Sequence, residues 1–267
     1  MISLRRVFAL ALRQFYLYRG SPVRFVPLSM WVFLDMVLWG FMSRYLNHIA
    51  GPGYNFVPAL LGAVLLWDFF SRVMQGVTTT FFEDVWSRNF LNLFASPLSV
   101  SEYVGGLVVT SVATSIIGLA VMLIVSTFIF GLSFFSYGIA LFPFLLVLFL
   151  FGIAMGVIGS SIVLRFGPAA EWFIWPIPAM VAPFACVFYP LSTLPAWMRA
   201  ISRLIPPSYV LESTRAIAAG HPADFGALAI AATLAALYVL GAGWIFTSVY
   251  RRAVRTGLIV RYNAESV

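Results

Sequence analysis

The sequence predicts an all-α membrane protein, and three observations support this fold class. Hydrophobic residues make up 62% of the 267 residues, whereas charged residues make up only 9%. Soluble domains carry roughly 25% charged residues. The apolar segments are much longer than the ~10 alternating residues of a membrane β-strand, so they indicate helices. The formal net charge is +7, which indicates cytoplasmic flanks of membrane spans rather than a nucleic-acid partner.

Six segments are long and apolar enough to cross a bilayer, because about 20 apolar residues suffice for one crossing. We place the six transmembrane helices at about 25–45, 57–82, 103–130, 138–164, 172–191 and 225–250. Most arginines lie in the N-terminal flank, in the loops after the second and fourth spans, and in the tail. Because arginine-rich loops stay in the cytoplasm, both termini are expected inside. Residues 1–267 are expected to form a single transmembrane domain.

Features of the flanks and spans refine this topology. The first segment, 1–24, carries five arginines beside a helical apolar stripe, which predicts an interfacial helix on an anionic leaflet. Gly152 and Gly156 in the fourth span are spaced for close packing of two helices. The fifth span should be kinked or broken, since it contains Pro176, Pro178, Pro183 and Pro190.

A short amphipathic helix is predicted at 83–98, between the second and third spans. Trp86, Phe90 and Leu93 share one helical face, which is expected to lie toward the membrane bundle. Pro97 should end the helix. Ser99 to Glu102 then has the spacing of a capping box and opens the next apolar run. An alternative is that this helix only rests on the lipid headgroups.

The segment 194–222 predicts two short helices on the outer side, too short to cross a bilayer. Pro195 can start the first helix, and the Pro206-Pro207 pair should end it. Ser208 is expected to cap the second helix, which should close at Gly220. The pair should therefore be re-entrant or interfacial, before the last span.

Together, these motifs resemble the membrane subunit of ABC-type exporters of the second exporter family. The motif after the second span reads Trp86-Ser87-Arg88, then Ala95-Ser96-Pro97-Leu98. The motif before the last span reads Leu194-Pro195-x-Trp197, then Ile205-Pro206-Pro207-x-Tyr209. The resemblance covers nearly the whole chain and implies a cytosolic coupling helix at 83–98.

The resemblance also implies function and partners. Two such permease copies, identical or closely related, would pair in a bacterial cytoplasmic membrane and bind two ABC ATP-binding subunits. The coupling helix would dock into the ATPase. Family members of this length export drugs, lipid-linked saccharides or polysaccharides, so an amphipathic substrate is expected.

The chain contains no lysine, and all sixteen basic residues are arginine. A phosphate-binding loop needs a lysine behind glycine-rich backbone. The chain is therefore not expected to hydrolyse ATP, and ATP and Mg²⁺ would bind in the partner ATPase. No cofactor, metal ligand or catalytic residue is predicted in this chain.

The candidate functional residues fall into two groups. Those expected to couple to the ATPase are Glu83, Asp84, Arg88, Leu91, Asn92 and Glu171. Those expected along the substrate pathway are Asp35, Asp68, Arg72, Tyr189, Trp197 and Tyr209.

Acids inside a span are functional candidates by default, but each of these two acids can also have a purely structural role. Asp35 can be a buried hydrogen-bonded acid, and Asp68 and Arg72 are spaced to pair on one helix. A secondary transporter that uses Asp35 or Asp68 as an ion site is an alternative function. An intramembrane enzyme is less favoured, because no nucleophile and base cluster at one depth.

Overall fold

The computed structural model describes residues 3–20, 25–50, 60–87, 89–132 and 134–258. Every regular element in these ranges is helical. The α-helices are α1 Leu4–Gly20, α2 Phe25–Ala50, α3 Gly62–Trp86, α4 Phe90–Ala95, α5 Val100–Phe130, α6 Leu141–Phe166, α7 Ile177–Ala185, α8 Ala196–Ser202, α9 Pro206–Ala218 and α10 Phe225–Arg255. Short 3₁₀ segments occur at Phe134–Ala140, Pro168–Phe173 and Leu191–Thr193.

Helices α3 and α6 form the centre of the bundle, with α5 packed on α3 and α10 on α6. The predicted close packing at Gly152 and Gly156 is confirmed. A Cβ atom on Gly156 would lie 2.7 Å from Val77 and 2.9 Å from the Met74 carbonyl oxygen. A Cβ on Gly152 would lie 2.8 Å from Val73. Only glycine allows α6 to approach α3 this closely.

Helix α1 lies against the N-terminal end of α5, and Glu102 holds the two together. The predicted capping box is confirmed, because Glu102 N–H donates to Ser99 Oγ and Ser99 N–H donates to the Glu102 carboxylate. The same carboxylate accepts hydrogen bonds from Ser3 N–H at 2.8 Å and from Arg6 at 3.2 Å. One acid therefore caps α5 and anchors the N-terminal helix.

Three helices in the described part of the chain combine the length and hydropathy of a membrane span: Val100–Phe130, Tyr137–Phe166 with its preceding turn, and Phe225–Arg255. Helices α2 and α3 contain 26 and 25 residues, which is long enough for a crossing at 1.5 Å per residue. Both carry charged residues within that length.

The predicted helix over 83–98 is wrong in its bounds. Helix α3 continues through Glu83 and Asp84 and ends at Trp86, and α4 spans only Phe90–Ala95. Glu83 and Asp84 therefore lie in the last turns of α3 and not at a helix N-terminus. The apolar face predicted for Trp86, Phe90 and Leu93 is divided between two helices.

The predicted fifth span is not one helix in the structure. A 3₁₀ turn at Pro168–Phe173 precedes α7, which has nine residues and contains Pro183. Nine residues extend about 14 Å, roughly half of a bilayer's hydrocarbon thickness. Proline removes backbone hydrogen-bond donors here, so the prolines that predicted a broken helix also limit its length.

The predicted pair of short helices before the last span is present as α8 and α9, with one correction to its capping. Pro206 and Pro207 begin α9 rather than end α8, because proline suits the first turn of a helix. The N-cap is Ile205, whereas the Ser208 hydroxyl donates to the carbonyl oxygens of Ser202 and Ile205. Ser208 thus joins the two short helices.

Candidate functional site

A large cavity lies among α2, α3 and the α7 region. Its volume is about 950 Å³, within the range of small-molecule binding sites. Asp35 and Trp39 contribute from α2, and Tyr18 contributes from the end of α1. The segment from Trp175 to Tyr189 forms the opposite wall.

A polar stripe on α3 runs along the length of this cavity. It consists of Asp68, Ser71, Gln75, Thr79 and Glu83, which all line the cavity. The spacing of three or four residues places them on one face of the helix. From Val64 to Glu83, the lining part of α3 rises about 28 Å, close to the thickness of a bilayer's hydrocarbon core. The opposite face of α3 packs on α5 and α6.

Two predicted pathway acids, Asp35 and Asp68, meet in this cavity. The Oδ2 atom of Asp68 is buried and has no hydrogen-bond partner. Arg72 lies one turn along α3 from Asp68, close enough for an electrostatic interaction between the two side chains. However, the Arg72 stem packs toward α5, where a Cβ on Gly118 would overlap Arg72 Cδ. Arg72 therefore lies beside the cavity wall and against a neighbouring helix.

Tyr189, also predicted for the pathway, lines the same cavity at its α7 side. Its hydroxyl donates to the Pro183 carbonyl oxygen at 2.8 Å. Trp39 of α2 stacks on neighbouring Phe188, with ring centroids 4.6 Å apart. The segment after α7 therefore brings aromatic side chains against α2.

An ion pair on α9 fixes this aromatic segment in place. Glu212 and Arg215 pair at 2.9 Å, as expected for residues three apart. Arg215 also donates to the carbonyl oxygens of Cys186 and Val187, and Leu191 N–H donates to Glu212 at 2.7 Å. Burial lowers the pKa of the Arg215 guanidinium, and the nearby Glu212 carboxylate raises it. The pair thus ties the cavity wall to the outer helices.

The other two predicted pathway aromatics lie on the outer helices. Trp197 on α8 is 62% exposed and makes an edge contact with Phe184. The Tyr209 hydroxyl donates to the Arg203 carbonyl oxygen, and its ring lines a smaller outer cavity of about 300 Å³. The structure therefore separates Trp197 and Tyr209 from Asp35 and Asp68.

Asp84, predicted for the coupling region, is held inside the bundle by groups of two other helices. It is buried, forms an ion pair with Arg13 of α1, and accepts a hydrogen bond from the Tyr103 hydroxyl at 2.9 Å. Burial raises the pKa of this carboxyl, while Arg13 and Tyr103 lower it. The Asp84 carboxylate is therefore enclosed between α1 and α5, and this predicted coupling residue is engaged by groups of its own chain.

Glu171 lies against the exposed C-terminal end of α3, in the predicted coupling region. Trp86 is 51% exposed, and its indole N–H donates to the Glu171 carboxylate at 2.9 Å. The predicted burial of Trp86 against the bundle is therefore wrong. Asn92 on α4 is exposed and donates to the Asn89 side chain at 3.2 Å. Arg88 and the side chain of Leu91 lie outside the described structure.

Several residues that line the cavity were not predicted from the sequence. Glu83, predicted for the coupling region, lines the cavity instead. Ser71, Gln75 and Thr79 were not predicted, although their spacing with Asp68 is visible in the sequence. The polar face of an otherwise apolar span was the available signal. The cavity's tryptophans gave no such signal, because the whole chain is rich in aromatic residues.

A helical bundle with a polar-lined cavity along one membrane-length helix is an arrangement that membrane transport proteins use. A family model described as ABC-2 type transporter matches residues 5–219. This match covers most of the chain, so the chain belongs to the ABC-2 type transporter family, and the resemblance carried by its motifs is confirmed. A search of curated proteins finds no match. The family consists of permease subunits, and it implies an ABC ATPase partner.

Proposed function

We propose that this chain is the permease subunit of an ATP-driven exporter that moves an amphipathic substrate out of the cytoplasm. The observation that carries the proposal is the cavity that follows α3 for about 28 Å and carries a polar stripe from Asp68 to Glu83. Polar groups on one side and aromatic and aliphatic groups on the other suit a substrate with both polar and apolar parts. A path of this length matches the thickness that a transported molecule must cross.

The proposed assembly contains two permease copies and two ATP-binding subunits in a bacterial cytoplasmic membrane. ATP and Mg²⁺ bind to the ATPase, since this chain has no lysine for a phosphate loop. Six spans with both termini in the cytoplasm remain the proposed topology, supported by the placement of the arginines. The two copies would each present one cytosolic surface to the ATPases.

The proposed docking surface is formed by the end of α3, by α4 and by the Pro168–Phe173 turn. Trp86 and Asn92 are exposed on it, and Glu171 joins the turn to Trp86. Helix α4 has only six residues between two turns. It can therefore respond to a partner without unfolding a long helix.

Co-purification with an ATPase tests this surface. The chain is co-expressed with the ATP-binding cassette protein that a neighbouring reading frame is expected to encode. Leu91→Asp should reduce ATPase co-purification and coupled hydrolysis, because an unpaired charge at an interface is costly. Leu204→Asp adds the same charge to the exposed outer side and should leave the complex intact. Wild-type binding by the Leu91→Asp complex would contradict the proposed surface.

The energy source separates this proposal from the ion-coupled alternative. Proteoliposomes holding the permease and its ATPase should transport only when ATP is supplied, and an uncoupler should have no effect. A secondary transporter that uses Asp35 or Asp68 would instead work without the ATPase and stop when the ion gradient collapses. Transport by the isolated permease under an ion gradient would overturn the proposal.

Thiol labelling tests the topology. Cys186 is the single cysteine and is buried, so Cys186→Ser provides a background without thiols. In that background, Arg199→Cys on α8 should react with an impermeant reagent added to intact cells. Arg255→Cys at the end of α10 should react only after the membrane is opened. Reaction of Arg255→Cys from outside would refute the six-span arrangement.

A further inference from the structure

The charge of the large cavity indicates the class of substrate. Asp35, Asp68 and Glu83 line it, and no arginine or histidine stands among the described residues of its wall. The whole chain, in contrast, has sixteen basic and nine acidic residues. An acidic wall in a basic protein is not a consequence of overall composition.

One acid of the cavity, Asp68, is enclosed more deeply than the acids of a surface cluster. Asp68 Oδ2 is buried and lacks a hydrogen-bond partner within the protein. A buried carboxylate oxygen without a partner is costly. A positively charged group in the cavity would remove that cost, since it supplies the missing donor or charge. The unpartnered oxygen of Asp68 and the number of acids in the wall are therefore two separate observations.

Aromatic rings surround the same space. Trp39, Trp67 and Trp175 line the cavity together with Phe188. Tryptophan faces attract organic cations through their ring quadrupole, most strongly when water is excluded. The stacked pair of Trp39 and Phe188 presents a continuous aromatic surface on the α2 side. The rings favour a cation with an apolar body over a small hydrated metal ion.

The acids also lie at two depths along α3. Asp68 and Glu83 are fifteen residues apart, about 22 Å along the helix. Uncharged Gln75 and Thr79 lie between them on the same face. Asp35 on α2 lines the cavity with Asp68, so the deeper position has two carboxylates. A cation that enters near Glu83 therefore meets a stronger negative field further in.

We propose that this permease exports amphipathic organic cations, and that Asp68 with Asp35 binds the positive charge while the tryptophans hold the apolar body. This inference rests on the proposed function, because it names the substrate class of the proposed exporter. It excludes anionic lipid-linked saccharides as preferred substrates, since their charge would repel the same carboxylates.

Two ions of the same shape and opposite charge test the proposal. Tetraphenylphosphonium and tetraphenylborate are bound to the purified, full-length permease in detergent micelles, and equilibrium dialysis measures saturable binding above protein-free micelles. The phosphonium ion should bind at least about tenfold more tightly than the borate. Equal affinities, or tighter binding of the borate, would overturn the proposal without any variant.

A matched set of neutralised acids locates the site. Asp68→Asn should weaken phosphonium binding about tenfold or more, and Asp35→Asn should weaken it less. Asp224→Asn is the control, because it removes one charge outside the cavity and retains an N-cap acceptor for α10. This variant should bind the phosphonium ion as tightly as the wild type does. If Asp68→Asn does not fold, Asp35→Asn serves alone. Unchanged binding by every folded Asp68 or Asp35 variant would overturn the assignment.

The outcomes also distinguish this inference from the proposed function. A complex that couples ATP hydrolysis to transport but shows no preference for the phosphonium ion retains the exporter function and overturns the cation site. Saturable, acid-dependent phosphonium binding by a permease that transports without an ATPase would support the site and overturn the ATP-driven export.

Discussion

Helix α3 carries two aspartates with opposite surroundings. Asp84 is buried between α1 and α5, where Arg13 and Tyr103 contact both of its oxygens. Asp68, four turns away on the same helix, has a buried oxygen without a hydrogen-bond partner and lines a cavity of about 950 Å³. Asp84 therefore has protein partners for both oxygens, whereas Asp68 has an oxygen without one. We expect Asp84 to stabilise the fold and Asp68 to serve transport.

The largest expected effect is the loss of Asp84. Asp84→Ala leaves the Arg13 guanidinium and the Tyr103 hydroxyl without their acceptor, so the unfolding free energy should fall by about 3–5 kcal/mol. Thermal unfolding in micelles measures this loss, and Tyr103→Phe should cost less because it removes one neutral donor. An Asp84→Ala protein as stable as the wild type would show that this cluster has no stabilising role.

An intermediate effect is expected on the outer side. Glu212→Ala removes the acceptor of Leu191 N–H and the partner of Arg215, so stability should fall by about 1–3 kcal/mol. The conservative Glu212→Gln keeps an acceptor and should lose less. Because these groups hold the segment around Tyr189, transport should fall together with stability. Reduced transport without lower stability would show that Glu212 contacts substrate instead of positioning the wall.

Asp68 should show the reverse pattern, with a small change in stability and a large change in function. Asp68→Asn replaces an acid that has one unsatisfied oxygen and keeps an acceptor of the same shape beside Arg72, so the unfolding free energy should change by less than about 1 kcal/mol. ATP-driven transport should fall at least about tenfold, while the ATPase still co-purifies. If Asp68→Asn destabilises the protein as strongly as Asp84→Ala, the proposed contrast between the two aspartates is wrong.

The smallest effect is expected at Asp35, which is only half-buried in the same cavity. Asp35→Asn keeps an acceptor of the same shape, so assembly and stability should be unchanged. Transport should fall by a few-fold, less than in Asp68→Asn, because a more solvated charge contributes less to binding. A complete loss of transport in a stable, ATPase-bound Asp35→Asn complex would instead make Asp35 the principal charge in the cavity.

The all-α membrane class, the family motifs and the local signals were all predictable from the amino-acid sequence. The composition and the length of the apolar segments are enough to predict the membrane class, since a bilayer tolerates few charged residues. The capping box at Ser99 and the close approach at Gly156 were also predictable, because each depends on short-range geometry. So was the break in the fifth predicted span, since proline acts on its own helix.

Which acids belong to the site became clear only from the packing of the helices. Glu83 and Asp84 are neighbours in sequence, but a helix points adjacent residues about 100° apart. Glu83 therefore faces the cavity, while Asp84 faces Arg13, 71 positions away. Likewise Glu171 meets Trp86 only because the turn before α7 returns to the end of α3. These assignments depend on which helices become neighbours, and helix packing is a long-range property that the periodicity of a single segment does not contain.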